Sequence, residues 1–530
     1  GNLVVEDVLG DGWDYTDGAA TFFVGEEGDN VGTALAPISL TGRETVMEDD
    51  PADGNTRVTW DLTNALLDAS AADGLLTGDI AGDGASSGTQ TTVTIVYNAT
   101  ILRSFEDTGT GENNVSQGDR LQNDATVTGN VRSNLSDGGD PTVPTPNDVT
   151  DTTMSGVNIE VGGIESKEVF ALNGDTNPPA DVVIAAGDTV TFAIEYRAPL
   201  AAFEDFRIVD NLPQLVFDAV GNFDEDTAWI ETPADRTAPP ATGTAYFGAG
   251  TSNSLLGLVP DIETDGLNNG LTFNFGTFTE PTPAVAVFEI LFTATVEDAI
   301  FAPDLMLTNQ ATAFETNTFG EEINSTAIAM FTYGEPDLNI TKGVIGSSST
   351  DPETAFTGST GLSGVTVPDT SVPRFSGIVS SGALNDEPID VDADINGVDA
   401  GDTVSFAIVL ENEGSAPNGA FNITVEDTLP DGFAIPASGL NLSVTDGAGT
   451  VIPFTQPDGT AAVPADIFNG GILLTDDGPL QGAASLFNET SGENVIVITY
   501  DLEVVDTVNP NASLTNVAGI TSYNAFEGNG

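Results

Sequence analysis

The 530-residue chain contains no cysteine and no histidine. The first absence rules out disulfides in any compartment. The second removes imidazole bases, histidine-ligated zinc and Ser-His-Asp triads, so an enzyme is the least expected class. Basic residues are nearly as rare, with 11 Lys and Arg against 82 Asp and Glu and a net charge of −71. No nucleic-acid partner is expected, because phosphate neutralisation needs cationic side chains; docking on anionic membranes is disfavoured for the same reason. No run of 18 or more apolar residues and no basic-then-apolar leader is found, so no direct membrane insertion is expected in this segment. Self-repulsion on this scale is tolerable in high salt or with divalent cations, since at marine ionic strength the Debye length falls to about 3–4 Å.

What is abundant points to strands. Hydrophobic residues make up 39% of the chain, including 28 Phe, which is enough for several cores. The 59 Gly and 29 Pro, with plentiful Thr, Asp and Asn, suit short strands joined by turns. Length alone suggests three or four domains of about 150 residues.

A repeat runs through the chain. "NLVVEDVLGDGW" (2–13) aligns with "FRIVDNLPQLVF" (206–217) and "NITVEDTLPDGF" (422–433), sharing Asp7 and Leu9, Asp210 and Leu212, Asp427 and Leu429. A second strand recurs as "VTIVYNATI" (93–101), "FEILFTATV" (288–296) and "VIVITYDLEV" (495–504). Its period of two puts Ile95, Tyr97 and Ile101, then Ile290, Phe292 and Val296, then Ile498, Tyr500 and Val504 on one buried face. A third element, "LQNDATV" (121–127), "LTNQATA" (307–313) and "LTNVAGI" (514–520), centres on Asn123, Asn309 and Asn516. The second and third copies are preceded by "GDTVTFAIEY" (187–196) and "GDTVSFAIVL" (401–410); the first has no counterpart.

The expected architecture is all-β: tandem immunoglobulin-like β-sandwich domains forming an elongated rod. The units are 1–150, with its front strands missing or supplied by another segment; 151–334, complete; and 335–530, with its last strand cut and a Ser/Gly/Pro-rich insertion at 343–390 expected to form a long loop or hairpin. The sequence is expected to be an excerpt from a longer tandem array. Short joints between copies favour a stiff rod.

The skeleton Gly-Asp-Thr-Val-x-Phe-x-Ile, Asn-x-Gly, Val-x-Asp-x-Leu-Pro and Leu-x-Asn-x-Ala resembles the DUF11 family, Ig-like repeats of bacterial surface and adhesin proteins. The third copy carries it most fully, through Gly401, Asp402, Thr403, Val404, Phe406, Ile408, Asn412, Gly414, Asp427, Leu429, Pro430, Asn516 and Ala518. The second lacks the Asn-x-Gly, and the first has Gly10 in place of the proline.

The only lysines, Lys167 and Lys342, each lie ahead of a Gly-Asp-Thr-Val strand. In isopeptide-forming relatives of such repeats, a first-strand lysine attacks a last-strand asparagine and ammonia leaves. The resemblance therefore implies the pairs Lys167 with Asn309 and Lys342 with Asn516. Burial must supply a neutral amine and a neighbouring carboxylic acid must move protons; Asp210 and Asp427 are the foremost acids, ahead of Glu289. The plainer reading makes each lysine an exposed strand residue and each Asn or Asp a turn former.

Calcium is the expected cofactor. "DVDADINGVDAGD" (390–402) spaces Asp390, Asp392, Asp394, Asn396 and Asp399 around Gly397 like the first half of an EF-type loop, although Thr403 lies where a terminal Glu would complete one. The functional expectation is a structural stalk or matrix segment at a cell surface or outside the cell, with neighbouring repeats and copies of itself as partners. Two alternatives are a filament or surface-layer subunit completed by strand donation and a glycan- or ice-binding module, for which Trp13, Trp60 and Trp229 are widely scattered.

Overall fold

The computed structural model describes residues 3–26, 38–48, 53–68, 91–107, 114–130, 148–198, 201–223, 229–231, 239–249, 260–278, 286–297, 305–358, 378–384, 391–475 and 484–525. Strands dominate, and they fall in chain order into three Ig-like β-sandwiches, each around its own apolar core.

The second unit shows the plan. One sheet runs Gly163–Leu172 (the lysine strand), Thr189–Ala198, Ala286–Thr295 (the inner strand), Ala245–Ala249, Trp229–Glu231. The facing sheet runs Val183–Ile184, Glu322–Tyr333 (the closing strand), Leu305–Thr316 (the asparagine strand), Phe203–Asn211 (the aspartate strand), Gly270–Phe278, Asp261–Asp265. Phe192, Ile194, Ile290 and Phe292 of one sheet pack on Phe206, Ile208 and Phe273 of the other. Each such side chain, taken out of water, contributes about 1.5–3 kcal/mol.

The recurrent motifs have local reasons. In Gly-Asp-Thr-Val, Gly187 and Gly401 take left-handed turns at φ 82° and 89°, which cost glycine little. The next residue closes the turn: Asp188 accepts from the Ala185 amide and Asp402 from the Asp399 amide, each at 2.7 Å. Asn412 of the Asn-x-Gly is fully buried, accepting from the Asp337 and Gly414 amides and donating to the Ala484 and Ser485 carbonyls. Five residues before Asp210 and Asp427, Asp205 and Asn422 both adopt φ 49° at a register shift of the aspartate strand. Asp and Asn tolerate that conformation better than other residues with a Cβ.

The third unit repeats the plan: Leu338–Ser347, Thr403–Asn412 and Val495–Val504 face Phe421–Thr428 and Val517–Asn524. Its insertion is more than decoration. Ala355–Thr357 pairs with Asp394–Asn396 as a ribbon, and Val379, Leu384 and Val391 form a second small core with Ile345, Ala407, Val409, Val495 and Val497 on the sheet's outer side. Val495–Val504 is therefore buried almost throughout, on both faces rather than one.

The first unit is the least covered. Val4–Leu9 is its aspartate strand, Arg120–Asn130 its asparagine strand and Thr91–Val96 its inner strand. Ile95 and Tyr97 are half-buried and Ile101 is 38% exposed, against the expectation of a buried face. Its closing strand, Asp148–Asn158, pairs along its whole length with Arg120–Asn130, so the unit extends past residue 150. At the junction with the second unit, Asp119 is fully buried and accepts from the Ser116 amide (2.7 Å), the Thr318 amide (3.1 Å) and the Thr318 hydroxyl (2.9 Å).

Candidate functional site

Lys167 and Asp210 come from opposite sheets and meet in the middle of the second core. Both side chains are fully buried, and the lysine ammonium donates to Asp210 Oδ2. The amine lies 5.5 Å from the Phe192 ring centre and 6.0 Å from that of Phe292. Burial lowers the lysine pKa to about 8, against the pull of Asp210, and raises that of the Asp210 carboxyl. Desolvation thus pushes both members of the pair toward their neutral forms. A lysine whose pKa is lowered carries a larger unprotonated fraction at neutral pH than an ordinary one.

Asn309 is fully buried beside Asp210. Its amide faces Asp210 closely enough to favour the charged carboxylate, yet neither of its polar atoms closes a well-formed hydrogen bond. Two unsatisfied buried polar atoms are costly, and they lie beside the carboxyl that holds the Lys167 amine. Register places the group: Asp210 is opposite Ala311, two residues past Asn309, and Lys167, Ile194 and Ile290 form one row across three strands.

The third unit reproduces this geometry. Lys342, with 11% of its side chain exposed, donates to both oxygens of the buried Asp427 at 2.8 Å. Lys342, Ile408 and Ile498 form the corresponding row, and Asp427 is opposite Ala518, two past Asn516. The amine is 5.6 Å from the ring centres of Phe406 and Tyr500, and burial again lowers its pKa to about 8 while raising that of Asp427.

One member was missed in the sequence. Tyr500 donates to Asp427 Oδ2 and accepts from Asn516 Nδ2 at 2.7 Å, joining acid and amide. Burial, then the Asp427 charge, raises the phenol pKa far above its usual value. Phe292 holds this position in the second unit, where no such bridge exists.

The acidic segment is arranged differently from a loop. Asp394–Asn396 is a short strand, Asp399 lends its backbone to the turn before Thr403, and Asp390 lies outside the described residues. Asp392 is exposed, and no cluster of three or more acidic side chains suited to a metal is found among the described residues. Trp60 is buried in the first core and Trp13 half-buried beside it, so neither contributes to an exposed aromatic face. Among the described residues no helix is long and apolar enough to cross a membrane.

No protein-family model matches the chain, and no curated protein matches it. Among solved structures it is similar to the C-terminal domain of the AgI/II polypeptide BspA of Streptococcus agalactiae (12% identity, 62% of this chain and 84% of that one, TM-score 0.24). It is also similar to BcpA, the major pilin subunit of Bacillus cereus (9%, 89% and 97%, 0.24), and to the full-length major pilin SpaD of Corynebacterium diphtheriae (13%, 82% and 88%, 0.22).

Proposed function

We propose that the chain is a non-enzymatic, load-bearing segment of an extracellular or cell-surface protein of the DUF11 type, whose second and third sandwiches are locked by autocatalytic amide bonds. The carrying observation is that both lysines of a lysine-poor chain are buried against an aspartate beside an asparagine. In each unit the neutral amine attacks Cγ of Asn309 or Asn516, with Asp210 or Asp427 polarising the side-chain carbonyl and carrying the proton to the leaving nitrogen. A C–N bond forms, the original C–N bond breaks, and ammonia departs.

The bond would join the lysine strand to the asparagine strand, so tension along the chain bypasses the rest of the unit. It would replace disulfides in a chain without cysteine. Charge repulsion would keep neighbouring segments apart, and calcium at residues 390–402 is part of the same proposal. Single-molecule extension tests the reading. Lys167 and Asn309 are 142 residues apart (309 minus 167), so an unlinked second unit releases about 50 nm when pulled open. The proposal expects no such release from either locked unit; full release from both overturns it.

A further inference from the structure

The first unit holds a third version of the site with one member missing. Asp7 is 4% exposed, and its Oδ1 has no hydrogen-bond partner. Tyr97 donates to Asp7 Oδ2, and Asn123 Nδ2 donates to the Tyr97 hydroxyl at 2.8 Å, as Tyr500 and Asn516 do in the third unit. Asn123 Oδ1 is buried without a partner, as is Asn516 Oδ1. The register also agrees: Asp7 is opposite Ala125, two residues past Asn123. Only the lysine is lacking, since none occurs before residue 167.

The strand pairing points to the same vacancy by a separate route. In the other units a row of side chains runs Lys-Ile-Ile across three strands. Here it stops at Ile95, because among the described residues Thr91–Val96 is an edge strand paired only with Thr21–Glu26. The apolar face shows the consequence. Ile290, Phe292, Ile498 and Tyr500 are fully buried, whereas Ile95 and Tyr97 are only half-buried. An unpaired edge over an incompletely covered core is a template for strand addition.

We infer that Asp7, Tyr97 and Asn123 form the acceptor half of a cross-link, completed by a lysine-bearing pair of antiparallel strands from outside residues 1–530 that docks along Thr91–Val96. The inference rests on the amide chemistry proposed for the other two units. A second copy of these residues does not supply the donor, because both of its lysines are enclosed within their own sandwiches. On docking, the second strand would pair with Thr91–Val96 and the first would carry its lysine over Tyr97 to Asp7. The ε-amine then attacks Cγ of Asn123, Asp7 shuttles the amine proton to the departing nitrogen, and one ammonia is released per amide formed.

The probe is a synthetic peptide of residues 163–198, the lysine-bearing strand pair of the second unit, mixed with the full chain. Intact mass spectrometry should show a one-to-one adduct weighing one ammonia (about 17 Da) less than the sum, with fragmentation locating the bond at Asn123. The adduct should vanish with the Asn123→Ala chain and with a Lys167→Arg peptide, which leaves the chain's fold untouched. No adduct with the unmodified peptide, or one that survives Asn123→Ala, overturns the inference. Covalent dimers on incubating the chain alone overturn the outside origin of the donor. The same spectra count internal ammonia losses. A chain that has lost ammonia at Asn309 and Asn516 but takes no peptide overturns this inference alone; a chain with no losses overturns the reading beneath it.

Discussion

Replacing the buried pair of the second unit by apolar residues, Lys167→Met with Asp210→Leu, separates a cross-linked unit from one held by an ion pair. If Lys167 and Asp210 were only a salt bridge, the exchange would remove two desolvated charges from a core lined by Phe192 and Phe292. Such replacements leave stability unchanged or raise it by about 1–4 kcal/mol. If Lys167 is bonded to Asn309, the exchange instead opens a covalent loop of 142 residues (309 minus 167). The chain-entropy relation for cross-links gives about 5 kcal/mol for a loop of that size. Subtracting the apolar gain leaves a net loss of about 1–5 kcal/mol. Calorimetry of the full chain should then show the second unit melting roughly 2–20 °C lower, at about 2–4 °C per kcal/mol for a unit this long. Asn309→Ala, which keeps the lysine and the acid, should also lower that transition. An unchanged or raised transition in the double variant would refute the covalent account of this unit.

Other expectations follow from single groups. Tyr500→Phe leaves Asp427 and Asn516 short of a buried partner, so the third unit should lose about 1–3 kcal/mol in chemical denaturation; no loss would deny the bridge a structural role. Glu315 is 3% exposed, and burial raises its pKa from 4.5 to about 7 despite the Tyr196 hydroxyl. Its folded pKa exceeds the unfolded one, so its contribution is fully present below pH 4.5 and is lost as pH rises through 7. Glu315→Gln should therefore stabilise the second unit at pH 8 by up to about 3 kcal/mol and gain little at pH 4, a difference readable from urea midpoints at the two values. Calcium at roughly 10⁻⁴–10⁻³ M should raise the melting temperature of the third unit, and Asp392→Asn with Asp394→Asn should reduce the gain; superimposable curves with calcium and with chelator would remove calcium from the account.

Much of the site was legible because lysine is so rare. Two lysines in 530 residues, each ahead of the same strand motif, marked positions that a lysine-rich surface would have hidden. Asp210, Asp427, Asn309 and Asn516 were legible from their constant spacing within the repeat, which the pairing of Asp with Ala across two strands explains. Tyr97 and Tyr500 read as core positions rather than site members because Phe292 shares their column; the shared hydroxyl in the first and third copies was the available signal. The acidic run at 390–402 looked like a loop by its Asp spacing, but alternate side chains also suit a strand, and pairing with Ala355–Thr357 decided for the strand at Asp394–Asn396. The first boundary fell early because the Pro-rich stretch near residue 145 looks like a linker, whereas Asp148–Asn158 still pairs with the first unit. The outer packing around the insertion could not be read from composition, since Val379, Leu384 and Val391 are far apart in a Ser/Gly/Asp-rich stretch until the sheet gathers them.

The most direct measurement of the central claim is the intact mass of the purified, unlabelled full chain under denaturing conditions. The account predicts a mass two ammonia molecules (about 34 Da) below that of the sequence, with proteolytic fragments joining Lys167 to Asn309 and Lys342 to Asn516. A mass equal to that of the sequence, with both lysines free, contradicts it.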